Sequence, residues 1–168
     1  MQLIGYGNPG RCDDGLGPVF AARIEARGLP GLDVFTDYQL TVDHALQIAS
    51  APTVVFVDAL MNSAAPFDFA ALEPAASHDL ASHSLSPASV LALAGTLFDA
   101  RPKAFVLGIS GVEFGEVREG LSGTAEENLL QAENFFVEWY ESPEQLKGAK
   151  GLADARLADP QKETVAPG

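Results

Sequence analysis

Basic residues are scarce in this chain: 10 lysines and arginines stand against 23 acids, a formal net charge of −13 over 168 residues. That deficit excludes nucleic acid and anionic membrane as natural partners, because both are held by basic surface. It favours instead a cationic partner surface or a metal ion. Cysteine is scarcer still. Cys12 is the only one, so no intramolecular disulfide can form, which suits a reducing compartment. No apolar run approaches the ~20 residues of a membrane span, and the first residues read as a strand rather than as a targeting segment. The expectation is a soluble, cytoplasmic protein. No internal repeat or repeated exposed apolar stripe is visible, and a monomer is the expectation that follows.

What is present is the punctuation of an α/β protein. Hydrophobic residues make up 47% of the chain, and its length suits one domain with a substantial core. Gln2 to Tyr6 reads as a strand, a helix runs from about Asp14 to Arg27, and Leu32 to Thr36 is a second strand ending on Asp37. Thr41 reads as the N-cap of a helix over 42–51, stopped by Pro52. The run Thr53-Val54-Val55-Phe56-Val57 is continuous and β-branched, as in strands buried on both faces of a parallel sheet, and it ends on Asp58. Phe67 to Leu72 reads as an edge strand, Ser86-Pro87 as the cap and first residue of a helix, Lys103 to Ile109 as a strand, and 124–140 as a long helix. Strands and helices alternate throughout, which predicts a mostly parallel sheet with helices on both faces, a three-layer sandwich. One domain over 1–141 and a flexible tail over 142–168 complete the expected organisation.

In such a sheet the loops that follow the strands gather along one edge, where open α/β folds keep their sites. Asp13 and Asp14 follow the first strand, Asp37 the second and Asp58 the third, and His83 lies in a loop that can reach the same side. Carboxylates and an imidazole from separate loops form a donor set for zinc, nickel or manganese, and three protein ligands leave positions open for a substrate. Structural readings compete at each position. Asp13 reads first as a helix N-cap, Asp14 equally as a ligand or as a second acid at the helix dipole, and a single strand-end Asp is more often structural than functional. Four acids at one edge are harder to explain so, because their mutual repulsion asks for a cation or a proton. His44 falls in a helix and reads as core or surface. His78 has nothing further to recommend it, and Cys12 beside two acids is a poor nucleophile.

One rival motif is present. Gly5-x-Gly7-x-x-Gly10 matches the dinucleotide fingerprint after a strand, with Asp37 further on. Asp13 and Asp14, however, occupy the helix N-terminus that should receive the diphosphate, and Pro9 removes one of the cradling amides. The glycines read better as a turn.

The stretch Gly5-Tyr6-Gly7-Asn8, a short spacer, then Asp13-Asp14-Gly15-Leu16-Gly17 resembles the opening motif of the nickel-iron hydrogenase maturation endopeptidases. Val55-Phe56-Val57-Asp58-Ala59 is similar to that family's second metal-ligand strand, Ser82-His83-Ser84-Leu85 to its histidine segment, and Gly108-Ile109-Ser110-Gly111-Val112 with Leu121-Ser122 to its late strand and last helix. The order holds from residue 1 to about 140. The resemblance implies a three-layer α/β sandwich and a hydrolase that trims a short C-terminal peptide from a hydrogenase large-subunit precursor after nickel insertion. It places the metal-binding trio on Asp14, Asp58 and His83, with Asp37 as a further acid near the site. The nickel is then supplied by the substrate, with no tightly bound cofactor of the enzyme's own. Asp37-Tyr38-Gln39-Leu40, where many relatives have glycines, looks like the branch that serves NAD-linked bidirectional hydrogenases. No Ser-His or Cys-His nucleophile is visible beside this metal-dependent or aspartyl scheme. A noncatalytic module that binds a metal or a nickel-containing partner through the same edge is the alternative, and a dinucleotide-binding domain the more distant one.

Overall fold

The computed structural model describes residues 1–61, 63–75 and 85–142. Five strands form one sheet in the order β2-β1-β3-β5-β4. They are β1 (Gln2–Tyr6), β2 (Asp33–Asp37), β3 (Thr53–Leu60), β4 (Phe67–Ala71) and β5 (Lys103–Ser110). The β1–β2, β1–β3 and β3–β5 pairs are parallel, and β4 closes one side antiparallel to β5. A single 3-10 turn (Cys12–Gly15) leads into α1 (Leu16–Ala26), and α2 (Asp43–Ile48), α3 (Pro87–Phe98) and α4 (Gly123–Tyr140) follow. The chain divides into two compact units, Met1–Glu133 and Asn134–Gly168, with the border inside α4. In the second unit the ring of Phe136 lies 5.8 Å from that of Trp139 and 6.0 Å from that of Tyr140. No helix among the described residues is long and apolar enough to cross a membrane.

Side chains alternate across the sheet and so serve two cores. Ile4, Val54 and Phe56 point to one face, where Leu40, Ala45 and Ile48 from the α2 region and Val90, Leu91 and Ala94 from α3 close over them. On the other face α1 packs against β1, β2 and β3 with Phe20, Ala21 and Ile24 fully buried. β3 is buried on both faces over Thr53–Val57, as its unbroken apolar run predicts. It continues two residues beyond Asp58, to Leu60, because β5 pairs with it along its whole length, from Thr53–Lys103 to Leu60–Ser110.

The approach of α1 to the sheet explains two of the glycines. A Cβ at Gly17 would collide with the carbonyl oxygens of Tyr6 and of Val57, the latter at 2.6 Å, and one at Gly5 would run into the backbone of Gly17. Helix and strands therefore touch backbone to backbone, which seats the 3-10 turn directly on the ends of β1 and β3. Gly5, the first of the fingerprint-like glycines, thus serves packing. Ser86 caps α3 as expected, accepting from the Ser89 N–H, with Pro87 at the first helical position. Thr41 does not cap α2: its N–H and hydroxyl both turn to the ring of His44, and Val42 stands at the cap position without a side-chain bond.

α1 is joined to the start of α4 by a charged cluster. Glu133, 4% exposed, accepts from Arg23 at 3.2 Å and from Arg27 at 2.9 Å, and Arg23 also reaches Glu126. Glu133→Ala is expected to lower the unfolding free energy by about 1–2 kcal/mol in urea titration, because both guanidiniums are exposed enough to recover water. A loss below 0.5 kcal/mol would show that the cluster contributes no more than a surface pair.

Candidate active site

The sheet order reverses between β1 and β3: β2 lies on one side of β1, and β3 and β5 on the other. A crevice opens outside the carboxyl ends of the strands at such a switch point. Tyr6 and Asp37 are level in the β1–β2 register, and Asp58 lies one step beyond the Gly5–Val57 pair of β1 and β3. Asp37, Tyr6 and Asp58 therefore form a row across three strands, on the face covered by α2 and α3.

Asp58 is half-buried. Burial pushes its carboxyl above the ordinary carboxylate range and the charge of Asp14 adds to this, against the hydrogen bonds from Tyr6 and from the Ala59 N–H, the latter at 2.8 Å. Burial, then the charge of Asp58 and the hydrogen bond to it, hold the Tyr6 phenol far above its usual range. Tyr6 is thus a neutral donor to Asp58, whose Oδ1 also accepts from the Ala59 N–H. Asp14 reaches the same place from the 3-10 turn, where its Oδ2 accepts from the Asn8 N–H at 3.3 Å. Asn8 in turn accepts from the Gly10 N–H at 2.9 Å and so folds the loop that carries the acids.

Its neighbour Asp13 has a different task. It is fully buried, and its Oδ2 accepts from the N–H groups of Val112 and Glu113 and from the Ser122 hydroxyl, each at 2.8 Å. Its Oδ1 accepts from the Ser122 N–H at 2.7 Å. Burial alone would raise this carboxyl, but the hydrogen bonds outweigh burial and hold it below the ordinary range. Ser122 passes the bond on by capping Ala125 in the first turn of α4. Asp13 therefore caps no helix of its own segment. It clasps the loop after β5 and the start of α4 to the turn that bears Asp14, and Gly111 permits this because a Cβ there would meet Asp13 Cβ at 2.7 Å. Cys12, buried beside it with φ +51°, is part of the same turn.

Asp37 ends β2 with Oδ1 accepting from the Tyr38 N–H at 2.6 Å and Oδ2 lying 3.7 Å from His44 Nε2. His83 and His78 lie outside the described residues. Among the described residues, no group of three or more His, Cys, Asp and Glu side chains is gathered as a metal site. The described part of the site is thus two electrostatically coupled carboxylates at the switch point, Asp14 and Asp58, with Tyr6 behind one of them and Asp37 along the row. An acid raised by burial and by the charge of a neighbouring carboxylate suits a divalent cation, which would favour its charged form.

This architecture has known counterparts. The NiFe hydrogenase maturation protease HycI from Thermococcus kodakarensis superposes with a TM-score of 0.65 at 20% identity, over 84% of this chain and 92% of its own. The hydrogenase maturating endopeptidase HybD from E. coli gives 0.64 at 16% identity, over 83% and 90%. A hydrogenase 2 maturation peptidase from a Thaumarchaeota archaeon gives 0.59 at 17% identity, over 83% and 97%. The chain has the fold of the NiFe hydrogenase maturation proteases. No protein-family model and no curated protein matches its sequence. Asp14, Asp37 and Asp58 are recognisable in the sequence as acids that follow strands, whereas Tyr6, a donor to Asp58, carries no such mark. The signal was available in principle, since strand pairing puts the last residue of β1 level with the acid on β3.

Proposed function

We propose that this protein is an endopeptidase that removes a short C-terminal peptide from the large-subunit precursor of a nickel-iron hydrogenase after nickel insertion, acting in the cytoplasm as a monomer. The reading rests on the pairing of Asp14 with Asp58 at the switch point, where a half-buried acid is held above its ordinary pKa range by burial and by the neighbouring charge. The opening motif and the fold support it. In this scheme Asp14, Asp58 and His83 contact the nickel that the precursor already holds, so the metal arrives as part of the substrate and no resident cofactor is required. Binding nickel positions the precursor tail and polarises the scissile carbonyl or an attacking water. Tyr6 keeps Asp58 aimed, and Asp37 serves as base or orients the peptide. Tyr38-Gln39-Leu40 after Asp37 points to the large subunit of an NAD-linked bidirectional enzyme as the target.

The test is intact-mass spectrometry of nickel-loaded and nickel-free precursor incubated with the protein. Loss of one discrete C-terminal peptide from the nickel-loaded sample alone is the expected result. An unchanged mass with the cognate precursor would overturn the endopeptidase reading in favour of a noncatalytic binding module. Cleavage without nickel would remove the metal's role and leave the hydrolase.

A further inference from the structure

His44 is 5% exposed in the first turn of α2, a helix whose other buried residues, Ala45 and Ile48, are apolar. Its Nδ1 is 3.0 Å from the Thr41 N–H and 3.1 Å from the Thr41 hydroxyl. A backbone N–H can only donate, so Nδ1 is an acceptor and the neutral ring is the Nε2–H tautomer. That Nε2 faces Asp37 Oδ2 at 3.7 Å, while Asp37 Oδ1 is held by the Tyr38 N–H. Each carboxylate oxygen therefore has one neighbour, a hydrogen bond at Oδ1 and the facing imidazole at Oδ2. The Asp37 side chain is 47% exposed, so the pair adds little stability. The Thr41 bonds give the imidazole a structural place, and the facing Asp37 gives its other nitrogen a direction.

We infer that His44, oriented by Thr41, is a positioning residue that sets the Asp37 carboxylate toward a bound precursor peptide, a role resting on the endopeptidase reading. Asp37 lies two strands from Asp58, about 10 Å away at the usual strand spacing, with Tyr6 between them. That separation places Asp37 against the peptide beside the metal rather than on the metal. The substrate group it addresses is a donor, a backbone N–H or the proton of an attacking water.

Two measurements on the full chain decide this. Long-range proton–nitrogen NMR at pH 7, with the His44 signals assigned by their loss in His44→Gln, is expected to show the Nε2–H tautomer and a displaced Nε2 resonance in Asp37→Asn. An Nδ1–H ring, or an Nε2 indifferent to Asp37→Asn, would overturn the assignment. Steady-state cleavage of nickel-loaded precursor is expected to show kcat lowered ~10–100-fold in His44→Gln, with KM unchanged within about twofold. No further loss is expected when the same change is made in Asp37→Asn. Equal losses in both backgrounds would sink the proposal. A wild-type protein that leaves precursor uncut would overturn the endopeptidase reading instead, and the NMR result would still decide whether His44 directs Asp37.

Discussion

Asp13→Ala is expected to lower the unfolding free energy by roughly 3–5 kcal/mol, measured by urea denaturation at pH 7. The substitution removes the acceptor of four hydrogen bonds at once and leaves the N–H groups of Val112, Glu113 and Ser122 without that partner. Unmet donors of this kind cost about 1–3 kcal/mol each, partly recovered where the loop lets water in. The dependence on pH has a definite sign. The folded carboxyl lies below its ordinary range, so the native state binds fewer protons than the unfolded chain through the interval between the two pKa values. Its stabilisation is complete above the unfolded value, about 3.9, and is lost as pH falls through the folded one. Wild type is therefore expected to lose stability between pH 4 and lower values more steeply than Asp13→Asn. An Asp13→Ala protein within 0.5 kcal/mol of wild type would show that the clasp is dispensable.

Asp58→Asn tests the opposite case. In the proposed reaction it removes a charged ligand from the metal while keeping the shape of the side chain and an acceptor for Tyr6. Cleavage of nickel-loaded precursor is expected to fall by about 10³-fold or more, the scale of losing one group that acts on developing charge. Stability should move the other way. Because the folded pKa is raised, the native state binds more protons than the unfolded state above the unfolded value, and stability declines as pH rises through the folded one. A neutral amide abolishes that decline, so near neutral pH the variant is expected to be at least as stable as wild type. An inactive Asp58→Asn that is also strongly destabilised would make Asp58 a structural acid. An active one would remove it from the reaction.

The contrast between Asp13 and Asp14 marks how far the sequence can be read. The strands, the capped α3 and the acids at the strand ends were legible because each is a local pattern: an apolar run, a Ser-Pro pair, a carboxylate after a strand. Asp13 reads locally as a cap, yet its partners stand 99, 100 and 109 residues away, and no periodicity encodes such a bond. Thr41 fits an N-cap by position, but the nearby imidazole of His44 competes for the same hydroxyl and wins. Tyr6 escapes notice for a similar reason: it is ordinary in its own segment and meets its acid only on a neighbouring strand. The sheet's polarity, by contrast, followed from alternation alone, and only β4 runs against it.

The position of β5 bears on how the chain is made. Among the described strands β5 is the last to leave the ribosome, yet it lodges between β3 and β4, both finished before it. Until Lys103–Ser110 emerges, β4 has no neighbour in the sheet and β3 shows one bare edge. Phe69, which later stacks on Phe105 with ring centres 5.2 Å apart, waits without that surface. At roughly 5–20 residues per second the interval lasts a few seconds, long enough for two nascent chains on one message to meet at those edges. A ribosome that stalls after β4 has emerged and before Lys103–Ser110 has done so would hold the protein at its stickiest moment, and holdase chaperones would have most to do there.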